Sequence, residues 1–254
     1  MISLLRARLR QGRQTLDFPA GPVPLPERFR GRPVLDGSKC QEGCRACVAV
    51  CPTEAIRTDP LAIDLGACLF CAACEEACPT GAVSYTPDYR LATRVREDLV
   101  VSGAEAKLAT ALDDAMRSLL GRSLKLRQVS AGGCSGCEAE LAALGNVVFD
   151  LGRFGIQFVA SPRHADGIVI TGPVTGHMEL ALRETYQAIP APKIVIAVGA
   201  CAISGGPFAG AASSGDGVPA DIPVDLYVPG CPPHPLTLLD GLLRLTGRIR
   251  AGTR

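Results

Sequence analysis

The residues most able to do chemistry in this chain are its twelve cysteines, eight of which lie between positions 40 and 78. Within that stretch, the pattern Cys-x2-Cys-x3-Cys-Pro-Thr begins at Cys44 and occurs again at Cys71, an offset of 27 residues. Thiolates spaced in this way on a tight loop present several sulfurs to one cubane iron–sulfur cluster, and a cysteine followed by proline reaches a second cluster. The spacing therefore predicts a small domain of two similar halves that binds two [4Fe-4S] clusters.

The second run, Cys-x2-Cys-x2-Cys-x3-Cys-Pro from Cys68 to Pro79, has the spacing of bacterial two-cluster ferredoxins, whose fourth cysteine binds the other cluster. That rule predicts two ligand sets: Cys40, Cys44, Cys47 and Cys78 for cluster 1, and Cys51, Cys68, Cys71 and Cys74 for cluster 2. Three residues separate Cys40 from Cys44 instead of two, and Gly43 supplies the backbone freedom for that insertion. A serine, a water or a three-iron cluster is the alternative at Cys40, and paired zinc sites are the alternative for the whole set.

The four remaining cysteines each follow a predicted strand. Cys134 and Cys137 open a helix, whereas Cys201 and Cys231 lie in Gly-rich and Pro-rich turns. Because the carboxyl ends of parallel strands meet at one edge of a sheet, these four thiols predict a third [4Fe-4S] cluster at that edge. Buried free thiols, a disulfide or a zinc site are the alternatives.

The elements that must position these cysteines divide the chain into four predicted segments. They are an extended docking segment at 1–33, a small α+β two-cluster ferredoxin domain at 34–90, a connecting helix at 91–122 and an α/β domain at 123–254. The periodicity that predicts the helix runs from 94 to 120. In the last segment, strands are predicted at 124–129, 156–160, 167–171, 193–198 and 224–228, helices at 137–144, 178–189 and 235–245, and a long loop at 205–221. This alternation predicts an α/β fold with a flavodoxin-like, doubly wound parallel sheet.

Charge and hydropathy exclude several classes of protein. Lys and Arg (26) nearly balance Asp and Glu (25), which excludes a general electrostatic binder of nucleic acid. The sequence has no apolar run of 18 residues that could span a membrane, and arginines interrupt the amino terminus, so neither a transmembrane segment nor a signal peptide is expected. A cytoplasmic location, where thiols stay reduced, favours metal binding over disulfides.

Residues 2–13 form a basic amphipathic stretch suited to a membrane surface or a membrane subunit.

The amino-terminal half resembles the two-cluster ferredoxin-like subunits of complex I and of formate hydrogenlyase-type hydrogenases. The resemblance lies in the cysteine runs and in the proline-rich leader at 18–33, which contains Phe-Arg-Gly before the first cluster. It implies that the leader is a strap laid over a partner.

The carboxyl half resembles the small subunit of membrane-bound, formate hydrogenlyase-type [NiFe]-hydrogenases, which is related to the complex I subunit that holds the terminal cluster. The matching stretches are Gly-Gly-Cys-Ser-Gly-Cys-Glu at 132–138, Arg-Phe-Gly-Ile at 153–156, Ser-Pro-Arg-His-Ala-Asp at 161–166, Thr-Gly-Pro-Val-Thr at 171–175, and the segments 199–206 and 223–233. Complex I proper typically has adjacent cysteines at the first position, whereas two residues separate Cys134 from Cys137 here. That difference favours the hydrogenase form.

Together the two resemblances imply a fused electron-transfer subunit with three [4Fe-4S] clusters and no catalytic residues of its own. The third cluster would lie proximal to the nickel–iron site of a separate hydrogenase large subunit. The other implied partners are membrane subunits of the complex and a soluble redox partner such as formate dehydrogenase, carbon monoxide dehydrogenase or ferredoxin. The implied location is peripheral, at the cytoplasmic face of the inner membrane. The alternatives are the equivalent subunit of a complex I-like NADH/quinone or ferredoxin-linked oxidoreductase without nickel–iron, and a zinc-binding structural module.

A few other residues are candidates for supporting roles. Glu138 and Glu140 could carry protons or contact the large subunit, or could belong to a solvated or interface helix face. Arg163 and His164 could hydrogen-bond a cluster or lie at an interface between subunits, or could cap a packed loop. His177 and His234, each near a helix start, are predicted to be structural.

Overall fold

The 27-residue repeat folds into two matching halves of a small amino-terminal domain. The computed structural model describes residues 2–103 and 107–249. In the first half, helix α2 (Ala46–Ala49) leads to strand β2 (Ile56–Thr58); in the second, helix α3 (Ala73–Ala77) leads to strand β4 (Val83–Tyr85). Each second-half element begins 27 residues after its counterpart, so the repeat in sequence is a repeat in structure.

Two small antiparallel sheets frame these halves. Strand β1 (Pro33–Leu35) pairs with β4, and strand β3 (Leu61–Asp64) pairs with both β2 and β5 (Val100–Val101). The pairing of β5 carries this domain past residue 90, beyond the range 34–90 predicted for it.

The continuous helix predicted over 94–120 is wrong. Its residues form a 3-10 turn (Arg96–Leu99), strand β5 and a short helix α4 (Asp114–Leu120), while residues 104–106 lie outside the described part. The helix does not form because the apolar residues of this segment are buried in two different hydrophobic cores. Leu99 is buried in the amino-terminal domain, whereas Leu112 and Leu120 are buried in the carboxyl-terminal one. Helix α4 begins where the Asp113 side chain accepts a hydrogen bond from the Met116 amide at 2.8 Å.

The carboxyl-terminal domain is a five-stranded parallel sheet with helices between the strands. Its strands are β6 (Leu124–Ser130), β7 (Ile156–Phe158), β8 (Gly167–Thr171), β9 (Ile194–Val198) and β10 (Leu226–Val228). Its helices are α5 (Gly136–Ala143), α6 (Gly176–Ala188), α7 (Ala200–Ser204) and α8 (Pro235–Leu245). The sheet order is β7-β6-β8-β9-β10, and every residue of β8 and β9 is buried, as expected for apolar strands covered on both faces. All five predicted strands and three predicted helices are confirmed, whereas α7 was not predicted.

The two domains share a packed core. Ala197, Ala202 and Ile203 of the parallel-sheet domain lie in the same apolar core as residues of the ferredoxin-like domain. The Ser204 hydroxyl donates to the Gly66 carbonyl at 3.0 Å. The domains are therefore fixed relative to each other by burial as well as by the peptide linkage.

The segment predicted as an extended docking strap, 1–33, is helical in its first part and contacts the rest of this same chain. Its first part is helix α1 (Ile2–Gln11), and the rest crosses the parallel-sheet domain of this same chain. Phe18 is buried there, 6.0 Å between ring centroids from Tyr89, and the Arg153 guanidinium donates to the Phe18 carbonyl at 3.2 Å. The second domain of the chain thus covers Phe18, whereas Leu4, Leu5 and Leu9 of α1 remain exposed.

No helix within the described ranges combines the length and the apolar character needed to cross a lipid bilayer.

Candidate metal centre

The eight cysteines of the ferredoxin-like domain fall into two groups. Cys47 interacts electrostatically with Cys40 and Cys78. In the second group, Cys51 interacts with both Cys68 and Cys74, and Cys74 also interacts with Cys71. Each group thus contains one thiol from the opposite half of the repeat. Cys44 lies between Cys40 and Cys47 in the chain, with its amide bonded to the Gln41 carbonyl at 3.1 Å.

The exchanged thiols, Cys51 and Cys78, receive the same hydrogen bonds in both halves. The amide of Ala55 donates to the Cys51 Sγ at 3.2 Å, and the amide of Ala82 donates to the Cys78 Sγ at 3.2 Å. Burial opposes ionisation of Cys78, but its backbone and Thr80 hydrogen bonds outweigh it and hold the pKa of this thiol below its usual value. In both halves, a backbone amide thus points at the sulfur, and at Cys78 the hydrogen bonds favour the thiolate, which is the form that binds iron.

A tyrosine that the sequence analysis missed lies against the second group. The Tyr85 hydroxyl is 3.6 Å from the Sγ of Cys68 and 3.6 Å from the Sγ of Cys74. Burial, together with the neighbouring thiols, raises the pKa of Tyr85 well above its usual value, so the hydroxyl keeps its proton and is able to donate one hydrogen bond. Burial also raises the pKa of the Cys68 thiol to about 11. The repeat contained a signal for this residue. Tyr85 lies 27 residues after Thr58, so the second half has a larger hydroxyl-bearing side chain where the first half has a threonine.

The four dispersed cysteines meet at the carboxyl edge of the parallel sheet. Cys134 precedes α5, Cys137 lies in its first turn, Cys201 is in α7 and Cys231 follows β10. Cys137 interacts electrostatically with the other three, and burial raises its pKa to about 12. Cys201 is buried, whereas Cys134 and Cys231 are exposed. The structure thus brings together the set predicted from the strand ends, and the set opens onto the protein surface.

Gly199 leaves room for this group of thiols. It connects β9 to α7 with a φ of +86°, and a Cβ at this position would lie 2.5 Å from the Cys137 Sγ. A glycine is therefore required both by the backbone conformation and by the sulfur beside it.

Glu138 and Glu140 have different surroundings. The Glu138 carboxylate accepts hydrogen bonds from the hydroxyls of Ser130 (2.6 Å) and Thr171 (2.5 Å), at the ends of β6 and β8. Although burial raises its pKa, these hydroxyls bring the pKa of Glu138 below its usual value, so its half-buried carboxylate is an anion next to Cys137 in the chain. Glu140 lacks such donors in the described contacts, and burial raises its pKa.

The three histidines have no described contact with a cysteine, and neither does Arg163. The prediction that His234 is structural is confirmed: its Nδ1 caps α8 by accepting from the Leu236 amide at 3.2 Å, and its ring meets Phe29 edge-on. His177 is exposed in the first turn of α6. Arg163 and His164 are exposed in the 3-10 turn Pro162–His164.

A groove of about 270 Å³ lies between the loop that carries Cys68 and Cys71 and the edge of the parallel sheet. Its lining includes Phe70, from the loop between Cys68 and Cys71, and Cys231 at the edge of the parallel sheet. Its polar side chains are those of Arg28, Arg30, Glu140, His234 and Thr237. The loop of the second cysteine group and Cys231 of the sheet edge therefore line the same groove.

Comparison with known proteins agrees with this division of the chain. Residues 134–245 match the family described as NADH ubiquinone oxidoreductase, 20 Kd subunit, and residues 39–82 match the 4Fe-4S dicluster domain. An NADH-quinone oxidoreductase subunit of Heliobacterium modesticaldum is 48% identical over 119 residues, which cover 46% of this chain and 68% of that protein. The chain belongs to the family of the 20 kDa subunit of NADH ubiquinone oxidoreductase. The match to this 20 kDa family contains Cys134, Cys137, Cys201 and Cys231.

Hydrogenase subunits are also among the relatives in the 20 kDa family. The probable membrane-bound hydrogenase subunit of Pyrococcus furiosus is 42% identical over 124 residues, 49% of this chain and 74% of that protein. Formate hydrogenlyase subunit 7 of Escherichia coli is 44% identical over 128 residues, half of each chain. The predicted resemblance of the carboxyl half to both complex I and hydrogenase subunits is confirmed.

Proposed function

We propose that this chain is the iron–sulfur electron-transfer subunit of a membrane-associated [NiFe]-hydrogenase complex of the formate hydrogenlyase type. The observation that carries the proposal is the grouping of its thiols, two groups in the ferredoxin-like domain and one at the edge of the parallel sheet. When bound, three [4Fe-4S] clusters would supply one-electron carriers. The chain itself would hold, space and shield them.

Each group provides one ligand set. The proposed sets are Cys40, Cys44, Cys47 and Cys78 for cluster 1; Cys51, Cys68, Cys71 and Cys74 for cluster 2; and Cys134, Cys137, Cys201 and Cys231 for the proximal cluster. The exchange of Cys51 and Cys78 between the halves supports the first two sets, because it is the ligand rule of two-cluster ferredoxins.

The sheet order supports a flavodoxin-like arrangement of the second domain. Numbered along the chain, the five strands are ordered 2-1-3-4-5, and sheets of this order bind ligands where the order reverses, between strands 1 and 3. Here those strands are β6 and β8, and the loop after β6 carries Cys134 and Cys137. The proximal cluster is thus proposed at the usual ligand position of such a sheet.

Packing between the domains supports a relay order of cluster 1, cluster 2 and proximal cluster. Gly66, two residues before Cys68, accepts a hydrogen bond from Ser204 on α7, three residues after Cys201. A Cβ on Gly66 would lie 2.7 Å from the side chain of Ile203, so the loop and the helix are in close contact. Cluster 2 is therefore the one placed to exchange electrons with the sheet edge, leaving cluster 1 for the soluble partner.

The exposed thiols Cys134 and Cys231 place the proximal cluster at a surface that a large subunit could cover. We propose a hydrogenase large subunit there, with membrane subunits beyond it and a peripheral location for this chain. The hydrogenase relatives and the two-residue gap between Cys134 and Cys137 support this choice. The relative from Heliobacterium modesticaldum favours a second candidate, a complex I-like oxidoreductase without nickel–iron. Two paired CxxC motifs in the large subunit would indicate the hydrogenase, and their absence would indicate the second candidate.

Metal analysis of anaerobically purified protein tests the proposal. We expect about twelve irons and as many acid-labile sulfides per chain, with a broad visible absorption that bleaches on reduction by dithionite. EPR of the reduced protein should show three centres. A colourless, zinc-loaded protein would overturn the proposal in favour of the structural module, and about eight irons would remove one of the three ligand sets.

Replacing Gly199 with alanine tests the proximal set without touching a ligand. The added Cβ would displace the Cys137 Sγ, so we expect a loss of about four irons and of one EPR signal. Gly210→Ala is the matched control, since Gly210 has a similar φ of +74° but open space around its Cβ position. Equal iron content in Gly199→Ala and Gly210→Ala would contradict the assignment.

A further inference from the structure

Three residues break the symmetry of the ferredoxin-like domain. Phe70, Glu75 and Tyr85 belong to the second half of the repeat. At the 27-residue offset, the first half has Gly43, Val48 and Thr58 in their places. The ring, carboxylate and phenol found around cluster 2 therefore have no counterpart of the same kind around cluster 1.

These three residues fix one another. The Tyr85 amide donates to the Glu75 carboxylate at 3.2 Å, which ties the tyrosine to the helix that carries Cys74. The Tyr85 ring meets the Phe70 ring edge-on, with 6.3 Å between centroids. As a result, the hydroxyl is held 3.6 Å from two sulfurs of one ligand set. In the described part of the chain, no hydrogen bond joins the Thr58 hydroxyl to a cysteine sulfur.

We infer that the Tyr85 hydroxyl donates one hydrogen bond, shared between the thiolates of Cys68 and Cys74, and thereby raises the reduction potential of cluster 2 relative to cluster 1. Reduction adds one negative charge, and donors to cluster sulfurs stabilise the more negative state. This inference rests on the proposed function, since it requires that the second group of thiols bind a cluster.

Tyr85 lies beside the cluster that faces the parallel-sheet domain, so the difference in potential between clusters 1 and 2 would favour electrons on that side. The loop that carries Cys68 packs against α7 through Gly66 and Ser204. A higher potential at cluster 2 would hold the electron on the side of the domain that faces the proximal set. Tyr85 is thus a tuning residue for the step that crosses between the domains.

The test is an EPR-monitored redox titration of the full, iron-loaded chain and of Tyr85→Phe. The variant keeps the ring against Phe70 and loses the hydroxyl. At a fixed potential near the midpoint, we expect the ratio of reduced to oxidised cluster 2 to fall about threefold to tenfold. A tenfold change corresponds to a shift of about 59 mV for one electron. The signal that disappears in Cys71→Ala identifies cluster 2 in the spectrum.

Tyr89→Phe is the matched control, because Tyr89 is also partly buried but lies against Phe18, and no described contact joins it to a cysteine. We expect this control to leave all midpoints unchanged. A full iron content with an unchanged cluster 2 midpoint in Tyr85→Phe would overturn the inference while leaving the proposed function intact. A loss of about four irons in Tyr85→Phe would also overturn it, because the hydroxyl would then hold the cluster rather than tune it. Absence of iron from the unmodified chain would instead refute the proposed function.

Discussion

Substitution of Cys231 by alanine is expected to remove about four irons and one EPR signal while leaving the other two signals in place. Cys231 lies at the carboxyl edge of the sheet and interacts electrostatically with Cys134, Cys137 and Cys201. Removing one of four thiolates opens the proximal set at its exposed side. Because the proximal set faces the proposed large subunit, electron transfer to that subunit should be lost entirely.

The matched variant is Cys71→Ala, since Cys71 is the exposed thiol of the second ferredoxin-like group. It should remove a different signal and leave the proximal one. Iron and sulfide analysis, together with EPR on anaerobic samples, measures the loss of iron and of the EPR signal in both variants. Survival of the third paramagnetic centre in Cys231→Ala would remove this residue from the ligand set.

Replacing Asp240 with alanine is expected to lower the free energy of unfolding by about 3–5 kcal/mol. Asp240 and Arg244 form an ion pair on α8, with 2.8 Å between Oδ2 and Nε, and their side chains are only 3% and 2% exposed. Without the carboxylate, the guanidinium would remain charged and unpaired in the core. Because α8 packs against the sheet, the loss should destabilise the whole domain.

Urea denaturation at constant iron content measures this effect. Asp221→Ala is the matched control, because it removes an exposed ion pair with Arg183 and should change stability little. Replacing both Asp240 and Arg244 with leucine should recover much of the loss, since an apolar pair leaves no buried charge. An Asp240→Ala midpoint equal to that of Asp221→Ala would show that the buried pair contributes nothing to stability.

The sequence predicted those parts of the fold in which all residues of a segment are buried in the same surroundings. Strand β8 consists of apolar residues and a single threonine, all buried, so its run in the sequence matched its bounds in the structure. The same holds for α8, whose eleven residues are all buried. The ligand rule of two-cluster ferredoxins predicted that Cys51 lies near Cys68 and Cys74, and the structure places it there.

The parts that could not be predicted are those in which neighbouring residues belong to different environments. Leu99 and Leu112 looked like one helix face but entered two separate cores. Burial of Phe18 by this same chain was not predicted, because nothing local indicates that a domain more than 100 residues later covers it. Tyr85 needed the fold to bring it to Cys68 and Cys74, since no short motif links a phenol to those sulfurs.

The apolar joint between the domains limits how such a protein can evolve. Ile203 and Ala202 lie in the core of the ferredoxin-like domain. If the gene were split between the domains, each product would therefore expose an apolar patch where the other domain had packed. Each half would need new polar side chains on that face before it could remain monomeric. The joint also holds the two domains against each other, so neither domain moves independently of the other.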